Sequence, residues 1–294
     1  MFKLLPKFLN LSFSENSCYQ LTPVPFYILL KDYFYDSNSM NYKESDMVNK
    51  DIQAFKAAIE QNSRIIGFTG AGISTESGIS DYRSKGGVWE KFTPVYIDEF
   101  IQDEAKRLLY WQRKQALWNE MKDAKPNRTH LFFKKLYDMG KLYGIITQNI
   151  DGLHEKSGIP DNKIVNLHGT NLEVNCLDCG FKKPSEEIFK DLDLGKGVPL
   201  CLRCGGLMKP NTISFGQELR NQDLQKAQTM SLECDMMIAC GSTLVVQPAA
   251  SFPYLAKKNG AFLAILTKSE TPLDTIADFV SHQRLGDFWD ALDY

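Results

Sequence analysis

Four cysteines form two closely spaced pairs near the middle of the chain. Cys176 and Cys179 make one Cys-x-x-Cys pair, Cys201 and Cys204 make the other, and residues 180–200 separate them. Two such pairs can supply the four thiolates of a tetrahedral Zn²⁺ site. Four protein ligands leave no position for water or substrate, so we expect one structural zinc ion that stabilises a small module. Two disulfides, or four unrelated buried cysteines, are the alternative.

One histidine lies close to these cysteines in the sequence. His168 ends a predicted strand, precedes Gly169 and stands eight residues before Cys176. An imidazole titrates near neutral pH and can therefore act as a general base. The residues alone leave a catalytic and a structural role equally open. The remaining histidines are expected to be structural or exposed: His130, His154 and His282.

Two further segments carry residues suited to binding a nucleotide. Residues 70–83 begin Gly-Ala-Gly-Ile, and a glycine turn at a helix N-terminus lets backbone N–H groups approach a pyrophosphate. A plain turn between strand and helix is the alternative, because the glycine spacing departs from G-x-G-x-x-G. Residues 147–154, Thr-Gln-Asn-Ile-Asp-Gly-Leu-His, follow a predicted strand, and their amides and carboxylate could bind a carboxamide ring and a ribose. A capped turn is the alternative there.

The composition excludes several classes of protein. With 43% hydrophobic residues among 294, the chain can bury a sizeable core. The net charge is −2 and no basic stripe is present, which argues against a nucleic-acid partner. No apolar run reaches the ~18 residues of a membrane span, so no membrane partner is expected. The cysteine pattern suits a reducing compartment, the cytoplasm, unless residues 1–14 are a mitochondrial presequence.

Apolar runs alternate with helical stretches from residue 50 onward. This alternation predicts an α/β fold with a doubly wound, Rossmann-like parallel sheet. Two inserts interrupt it: a loop with a small helical layer at residues 83–129 and the zinc module at 170–212. We expect residues 47–294 to form the functional domain, and residues 1–46 to be an accessory or disordered extension. The predicted Rossmann-like core comprises about residues 47–82, 130–169 and 213–294.

These motifs occur together in one known family. The chain resembles the sirtuins over nearly all of residues 50–292, and the order and spacing of the shared motifs make coincidence negligible. The shared motifs are the four cysteines and residues 70–74, 77–79, 147–154, 167–169, 215–216, 241–243, 248–250 and 271–272.

The resemblance implies an enzyme that removes acyl groups, most simply acetyl, from lysine side chains and consumes NAD. It implies that His168 is the general base that deprotonates a ribose hydroxyl after the acyl oxygen has attacked C1′. It also implies which residues contact NAD. Asn149 and Asp151 would bind the nicotinamide, Gln148 its ribose and Thr267 the adenosine ribose, with Tyr82 and Arg83 in the mobile cofactor-binding loop. The phosphates would be bound by Gly70, Ala71, Gly72, Ile73, Gly241, Ser242 and Thr243.

The same resemblance places the acylated peptide between the sheet and the zinc module, beside Val245, Val246 and residues 213–216. Tyr110 and Arg113, one helical turn apart, resemble a pair that binds acidic acyl groups in one branch of the family. A helix in which Tyr110 is packed and Arg113 is solvated is the alternative. Preference for acidic or long acyl chains therefore stays open. Two further functions also stay open: mono-ADP-ribosylation of protein from the same NAD site, and a non-catalytic binding module.

Overall fold

The computed structural model describes residues 51–82, 86–87, 90 and 92–292. The strands are β1 (Ile65–Thr69), β2 (Leu142–Thr147), β3 (Ile164–Asn166), β4 (Gly169–Cys176), β5 (Lys182–Pro184), β6 (Met208–Thr212), β7 (Met236–Cys240), β8 (Phe262–Leu266) and β9 (Phe279–Ser281). Helix α1 covers residues 51–61. The other helices are α2 (Ile97–Gln102), α3 (Glu104–Met121), α4 (Arg128–Asp138), α5 (Leu153–Lys156), α6 (Ser185–Lys190), α7 (Asn221–Glu233), α8 (Ser251–Lys258) and α9 (Leu285–Leu292).

Six short strands form the central sheet. Their order is β3-β2-β1-β7-β8-β9, and every neighbouring pair is parallel. All five residues of β1 and all five of β7 are buried, as expected of central strands covered on both faces. This order is that of the doubly wound nucleotide-binding fold, so the predicted fold class is confirmed.

Alternate side chains of β1 enter different hydrophobic layers. Ile65 packs with Phe55 of α1 in a layer that also includes residues of α4 and α9. Ile66 and Phe68 lie in the opposite layer, with residues of α7 and α8. Because successive strand residues point to opposite faces, a continuously apolar strand requires helices on both sides. The sheet therefore forms the middle of three layers.

Of the four cysteines only Cys176 lies in a strand, β4, and the other three lie in the segments that connect the strands of a second, smaller sheet. Its order is β5-β4-β6, and its strand pairs are antiparallel. Val174 and Met208 of this sheet share a hydrophobic cluster with Phe100 of α2 and Trp111 of α3. The two segments predicted to interrupt the main fold therefore pack against each other, and one common core supports both.

The structure changes one predicted boundary and refines another. The apolar run from Phe279 to Leu285 contains a strand only as far as Ser281, and Leu285 begins α9. Polar residues 282–284 separate the two elements. The turn after β1 continues as a 3₁₀ helix, Ala71–Ser77, which ends at Gly78 with a left-handed φ of 84°. None of the helices in the described part of the chain is both long and apolar enough to span a bilayer.

Gly67 of β1 tests how tightly the central layer is packed. A Cβ added there would lie 2.6 Å from Cδ1 of Ile145 and 2.7 Å from Cε1 of Phe133. We expect Gly67→Ala to lower the free energy of unfolding by about 1–3 kcal/mol, because the core must shift to accept the methyl group. Denaturant titration would measure the change. Gly195→Ala, at an exposed glycine, should change stability by less than about 0.5 kcal/mol, and an equal loss at both sites would contradict this interpretation.

Candidate active site

A cavity of about 850 Å³ opens at the carboxyl ends of the central strands. Residues that directly follow β1, β2, β7 and β8 line it, as do residues of α3 and the segment after β6. Doubly wound sheets bind ligands at this edge, where the strand order reverses. Here the reversal lies between β1 and β7.

The turns after β1 and β7 approach each other through glycine backbones. The N–H of Gly70 donates to the Cys240 carbonyl at 3.0 Å, and the N–H of Gly72 donates to the Gly241 carbonyl at 2.9 Å. A Cβ on Gly72 would lie 2.8 Å from that Gly241 oxygen. Only glycine permits this contact, which leaves an open backbone cradle for phosphate groups. Ile73, by contrast, is buried in the core and does not line the cavity.

Polar side chains link the strand ends across the cavity floor. Nε2 of Gln148 donates to Oγ of Ser242 at 2.8 Å, which joins the loops after β2 and β7. Beside them Asn149 is buried, and its Nδ2 donates to the Gly70 carbonyl at 3.2 Å. Among the described residues Oδ1 of Asn149 has no hydrogen-bond partner. A buried orphan acceptor is costly, and it fits a ligand that brings an N–H donor, such as a carboxamide.

Asp151 lies behind Asn149 and does not line the cavity. Its Oδ2 accepts from Oγ of Ser74 at 2.7 Å, and its Oδ1 accepts from the Leu153 N–H at 2.9 Å. Burial raises the pKa of this carboxyl, although both hydrogen bonds favour its charged form. Burial and the nearby Asp151 charge raise the pKa of Tyr82 to about 12, so the phenol stays protonated.

His168 is oriented by the backbone. Its Nδ1 lies 3.0 Å from the carbonyl oxygen of Gln148, which can only accept a hydrogen bond. Nδ1 therefore carries the proton, and Nε2 is the basic nitrogen of the neutral ring. The ring is half-buried and lines the cavity beside Gln148 and Asn149. This arrangement suits a general base.

A second layer of buried polar groups supports the loop after β2. Nε2 of His154 lies 2.9 Å from Oγ1 of Thr69, which lies 2.8 Å from Oγ1 of Thr147. Thr147 in turn accepts from the Asn149 N–H at 3.0 Å. Burial lowers the pKa of His154 well below its ordinary value and that of neighbouring His130 to about 4, so both rings are neutral. The network positions Asn149 from below.

One face of α3 closes the end of the cavity beyond His168. Tyr110, Arg113 and Lys114 all line it. The Tyr110 hydroxyl lies 3.4 Å from Oγ1 of Thr212, and the Lys114 ammonium donates to the same oxygen at 2.9 Å. Burial lowers the pKa of Lys114 to about 7 and raises that of Tyr110 to about 12. Arg113 is partly exposed, and its guanidinium carbon lies 5.7 Å from the centre of the Phe92 ring.

The four cysteines come together beside the small sheet, at the end of β4 and in the segments that connect its strands. Their Sγ atoms all lie within 4.8 Å of one another, with 3.5 Å between Cys176 and Cys204 and 3.6 Å between Cys179 and Cys201. Disulfide sulfurs would be about 2.05 Å apart. Tetrahedral zinc with Zn–S bonds of about 2.3 Å places its sulfurs about 3.8 Å apart, which fits. The cluster is therefore a zinc-binding geometry, and the disulfide alternative is wrong.

Most of the residues predicted for the site meet at the cavity. Those that line it are Gly70, Ala71, Gly72, Tyr82, Tyr110, Arg113, Gln148, Asn149, His168, Gly241, Ser242, Thr243, Val246 and Thr267. Val245 is 53% exposed and is not among the lining residues, and Arg83 lies outside the described residues. Lys114 was not predicted. Its position four residues after Tyr110 on one helical face was the available signal.

Fold and site together define a doubly wound nucleotide-binding domain with a cysteine-stabilised module beside its ligand cleft. The Sir2 family profile matches residues 70–248. An NAD-dependent protein deacetylase from Rhodopseudomonas palustris is 41% identical over 229 residues, which cover 78% of this chain and 90% of that protein. The chain belongs to the Sir2 family.

Solved structures agree with this assignment. The structure of Sir2Tm bound to a propionylated peptide matches with a TM-score of 0.71 and 34% identity, over 81% of this chain and 95% of that one. The complex of a mutant Sir2 homologue with ADP ribose matches with a TM-score of 0.73 and 32% identity, over 80% and 92%.

The cysteine cluster predicts a stabilising metal. We expect Cys201→Ser, or treatment with a strong chelator, to release zinc and lower the melting temperature, because bound metal contributes directly to the folding of its module. Metal analysis and thermal unfolding would measure both effects. Cys234→Ser replaces a buried cysteine outside the cluster and should retain one zinc per chain. Equal zinc contents in the two variants would contradict the assignment.

The burial of Lys114 predicts a loss of folding stability that depends on pH. Its pKa is about 7 in the folded protein and 10.5 ordinarily. The unfolded chain thus binds more protons between these values, and stability rises with pH there by up to about 1.4 kcal/mol per pH unit. We expect Lys114→Met to be more stable than the parent below pH 7, with the advantage shrinking as the pH rises to 10.5. Denaturant titrations across this range would measure it, and exposed Lys122→Met should show no such trend.

Proposed function

We propose that the protein is an NAD-dependent deacylase that removes acyl groups from protein lysine side chains and releases nicotinamide and O-acyl-ADP-ribose. One juxtaposition carries this proposal: the glycine cradle, the orphan Oδ1 of buried Asn149 and His168 lie in one cavity. The relatives support it, since curated ones are named NAD-dependent protein deacetylases and deacylases. The acyl-lysine protein or peptide is the partner.

We assign the NAD contacts by the geometry of the cavity. The backbone of Gly70, Ala71 and Gly72, with Gly241, Ser242 and Thr243, would hold the phosphates, since N–H groups and hydroxyls suit anions. Oδ1 of Asn149 would accept from the nicotinamide carboxamide. Asp151, which lies behind Asn149, would support the binding of the carboxamide, and Gln148 would bind the adjoining ribose. Thr267 would contact the adenosine ribose, with Tyr82 and Arg83 in the loop near the nicotinamide. Ile73 would anchor the cradle in the core.

NAD, as the second substrate, supplies the ribose carbon that receives the acyl oxygen. His168 would accept a ribose hydroxyl proton at Nε2, and the Gln148 carbonyl, which accepts from Nδ1, would stabilise the resulting imidazolium. Base assistance of this kind is worth about 10²–10⁴-fold in rate. A filled cavity would need to exclude water at this step, because water could otherwise intercept the ribose carbon before the acyl oxygen does.

The peptide backbone would bind between the central sheet and the cysteine module. Residues 213–216 follow β6, and the Ile213 N–H donates to the His168 carbonyl at 2.8 Å, so this segment leads directly from the proposed base. An extended peptide can add to such an edge as a strand. Val246 would contact the lysine stem from the other side, and Val245 would lie at the exposed entrance. Acetyl is the simplest acyl group for this site.

Residues 47–294 would form the catalytic domain, with residues 1–46 as an accessory extension. The helical insert, 83–129, and the zinc module, 170–212, would close the cleft against the Rossmann-like core of residues 47–82, 130–169 and 213–294. One structural zinc ion held by four thiolates requires reduced cysteines, which favours the cytoplasm or another reducing compartment.

His168→Ala tests the proposed base. We expect the rate of acetyl-peptide deacylation to fall about 10²–10⁴-fold while NAD still binds, because the proton acceptor is lost and the cradle is intact. Mass spectrometry of the products and calorimetry with NAD would measure both. Asn166→Ala, on β3 but not lining the cavity, should keep its activity. O-acetyl-ADP-ribose supports deacylation, whereas ADP-ribose attached to protein, or no turnover by the parent, would refute the proposal.

A further inference from the structure

A second cavity, of about 540 Å³, lies where the carboxyl end of α3 meets β4 and α6. Asp151, which does not line the first cavity, lines this one. Asn171 and Leu172 of β4 form another part of its wall. Sites for small molecules typically measure about 300–1,000 Å³, so this cavity is large enough to hold an organic ligand.

The side chain of Asn171 is buried in the wall of the second cavity without a strong hydrogen bond. Asn171 is 1% exposed, and its Oδ1 has no hydrogen-bond partner among the described residues. Its Nδ2 donates to Sδ of Met121 at 3.7 Å, and a thioether is a weak acceptor. A buried amide in this state lowers the stability of the fold. The complementary partner would bring both an N–H donor and an oxygen acceptor.

The backbone around Asn171 departs from regular strand pairing. The register of β4 against β6 shifts between Gly169 and Val174. Within this stretch the N–H of Asn171 donates to the Ile150 carbonyl, at 2.8 Å, in the loop after β2. Irregular pairing of this kind re-aims side chains and is frequent beside functional sites. It places Asn171 in the cavity wall and joins β4 to that loop.

The other lining residues favour a flat, neutral ligand. Trp118 and Phe189 stack on each other, with ring centres 5.1 Å apart and an angle of 15° between the rings, and both line the cavity. They provide a flat aromatic wall, which suits a planar ring. The charged lining residues are balanced between three lysines and three carboxylates: Lys122, Lys156, Lys190, Asp123, Asp151 and Glu186. Because neither sign is in excess, the lining does not favour an anion or a cation over a neutral molecule.

The second cavity shares its wall with the loop that carries Asn149. Ile150 lines the first cavity, and its carbonyl accepts from the N–H of Asn171 in the wall of the second. Asp151, the next residue, lines the second cavity directly. Both cavities are present in the same arrangement of this loop. A ligand that fits the second cavity therefore stabilises the arrangement in which Asn149 lines the first.

We propose that the second cavity is a regulatory site for a small, flat, neutral molecule with a primary carboxamide, and that its occupation strengthens the binding of NAD. The ligand's NH₂ group donates to Oδ1 of Asn171, and its carbonyl accepts from Nδ2. The aromatic part of the ligand packs against Trp118 and Phe189. The coupling to NAD rests on the function proposed above, whereas the binding site itself does not.

Calorimetry with indole-3-carboxamide as the probe tests the site. The titration is made with saturating NAD, which keeps the probe out of the first cavity, and is repeated without NAD. We expect one molecule to bind the NAD-loaded parent, and Asn171→Leu to weaken this binding about 10-fold or more, because two hydrogen bonds are lost. Half-buried Asn175→Ala, also on β4 but not lining the cavity, should bind the probe as the parent does. Indole-3-carboxylate, which lacks the amide donors, should bind the parent about 10-fold more weakly than the carboxamide.

A parent that binds neither compound, or binds both equally well, overturns the site even if Asn171→Leu cannot be purified in folded form. Equal binding of the carboxamide by the parent and by folded Asn171→Leu overturns the role of Asn171. The probe should lower the Kd of the parent for NAD about fivefold or more, and NAD should lower the Kd for the probe by the same factor. An unchanged or higher Kd for NAD overturns the coupling. If the parent does not bind NAD at all, the proposed function fails, and the titration without NAD still tests the site.

Discussion

The contact between the backbones of Gly72 and Gly241 is the constraint on which the active site depends. It closes the gap between β1 and β7, the two central strands at which the chain reverses its direction across the sheet. Any side chain at either glycine would push these turns apart. The short distance between the Gly72 and Gly241 backbones also sets the phosphate cradle, the Gln148–Ser242 link and the position of Asn149. The turns at this contact must therefore be glycine.

The site also concentrates polar groups that the folded protein does not satisfy by itself. Oδ1 of Asn149 lacks a partner and the ammonium of Lys114 lacks a counter-ion among the described residues. Such groups destabilise a fold, yet two extensive hydrophobic layers beside them offset the loss. They also explain selectivity, because a ligand gains most where it completes a buried hydrogen bond or charge pair. The same unsatisfied groups therefore lower the stability of the fold and allow the site to bind a ligand.

The central sheet could be predicted from sequence because its buried strands are continuous apolar runs between clear helical periods. The cysteine spacing likewise predicted the cluster, since two Cys-x-x-Cys pairs are typical of four thiolates that bind one zinc ion. The end of β9 was less predictable, because Leu285 suits either a strand or the first turn of a helix. Lys114 was not predicted, because its place four residues after Tyr110 shows only that both lie on one helical face. Its importance depends on burial against Thr212, which lies 98 residues away in sequence and on a different insert.

The shared core of the two inserts supports the end of the cavity formed by α3, whereas the glycine turns form the other end. The nucleotide half is made of turns that permit almost no change of side chain. The other end lies against one face of α3, where Tyr110, Arg113 and Lys114 line the cavity within about one helical turn. Substitutions on that face leave the glycine turns and the His168–Gln148 bond untouched. Single substitutions on this face can therefore change which acyl group is removed without altering the residues that bind the nucleotide.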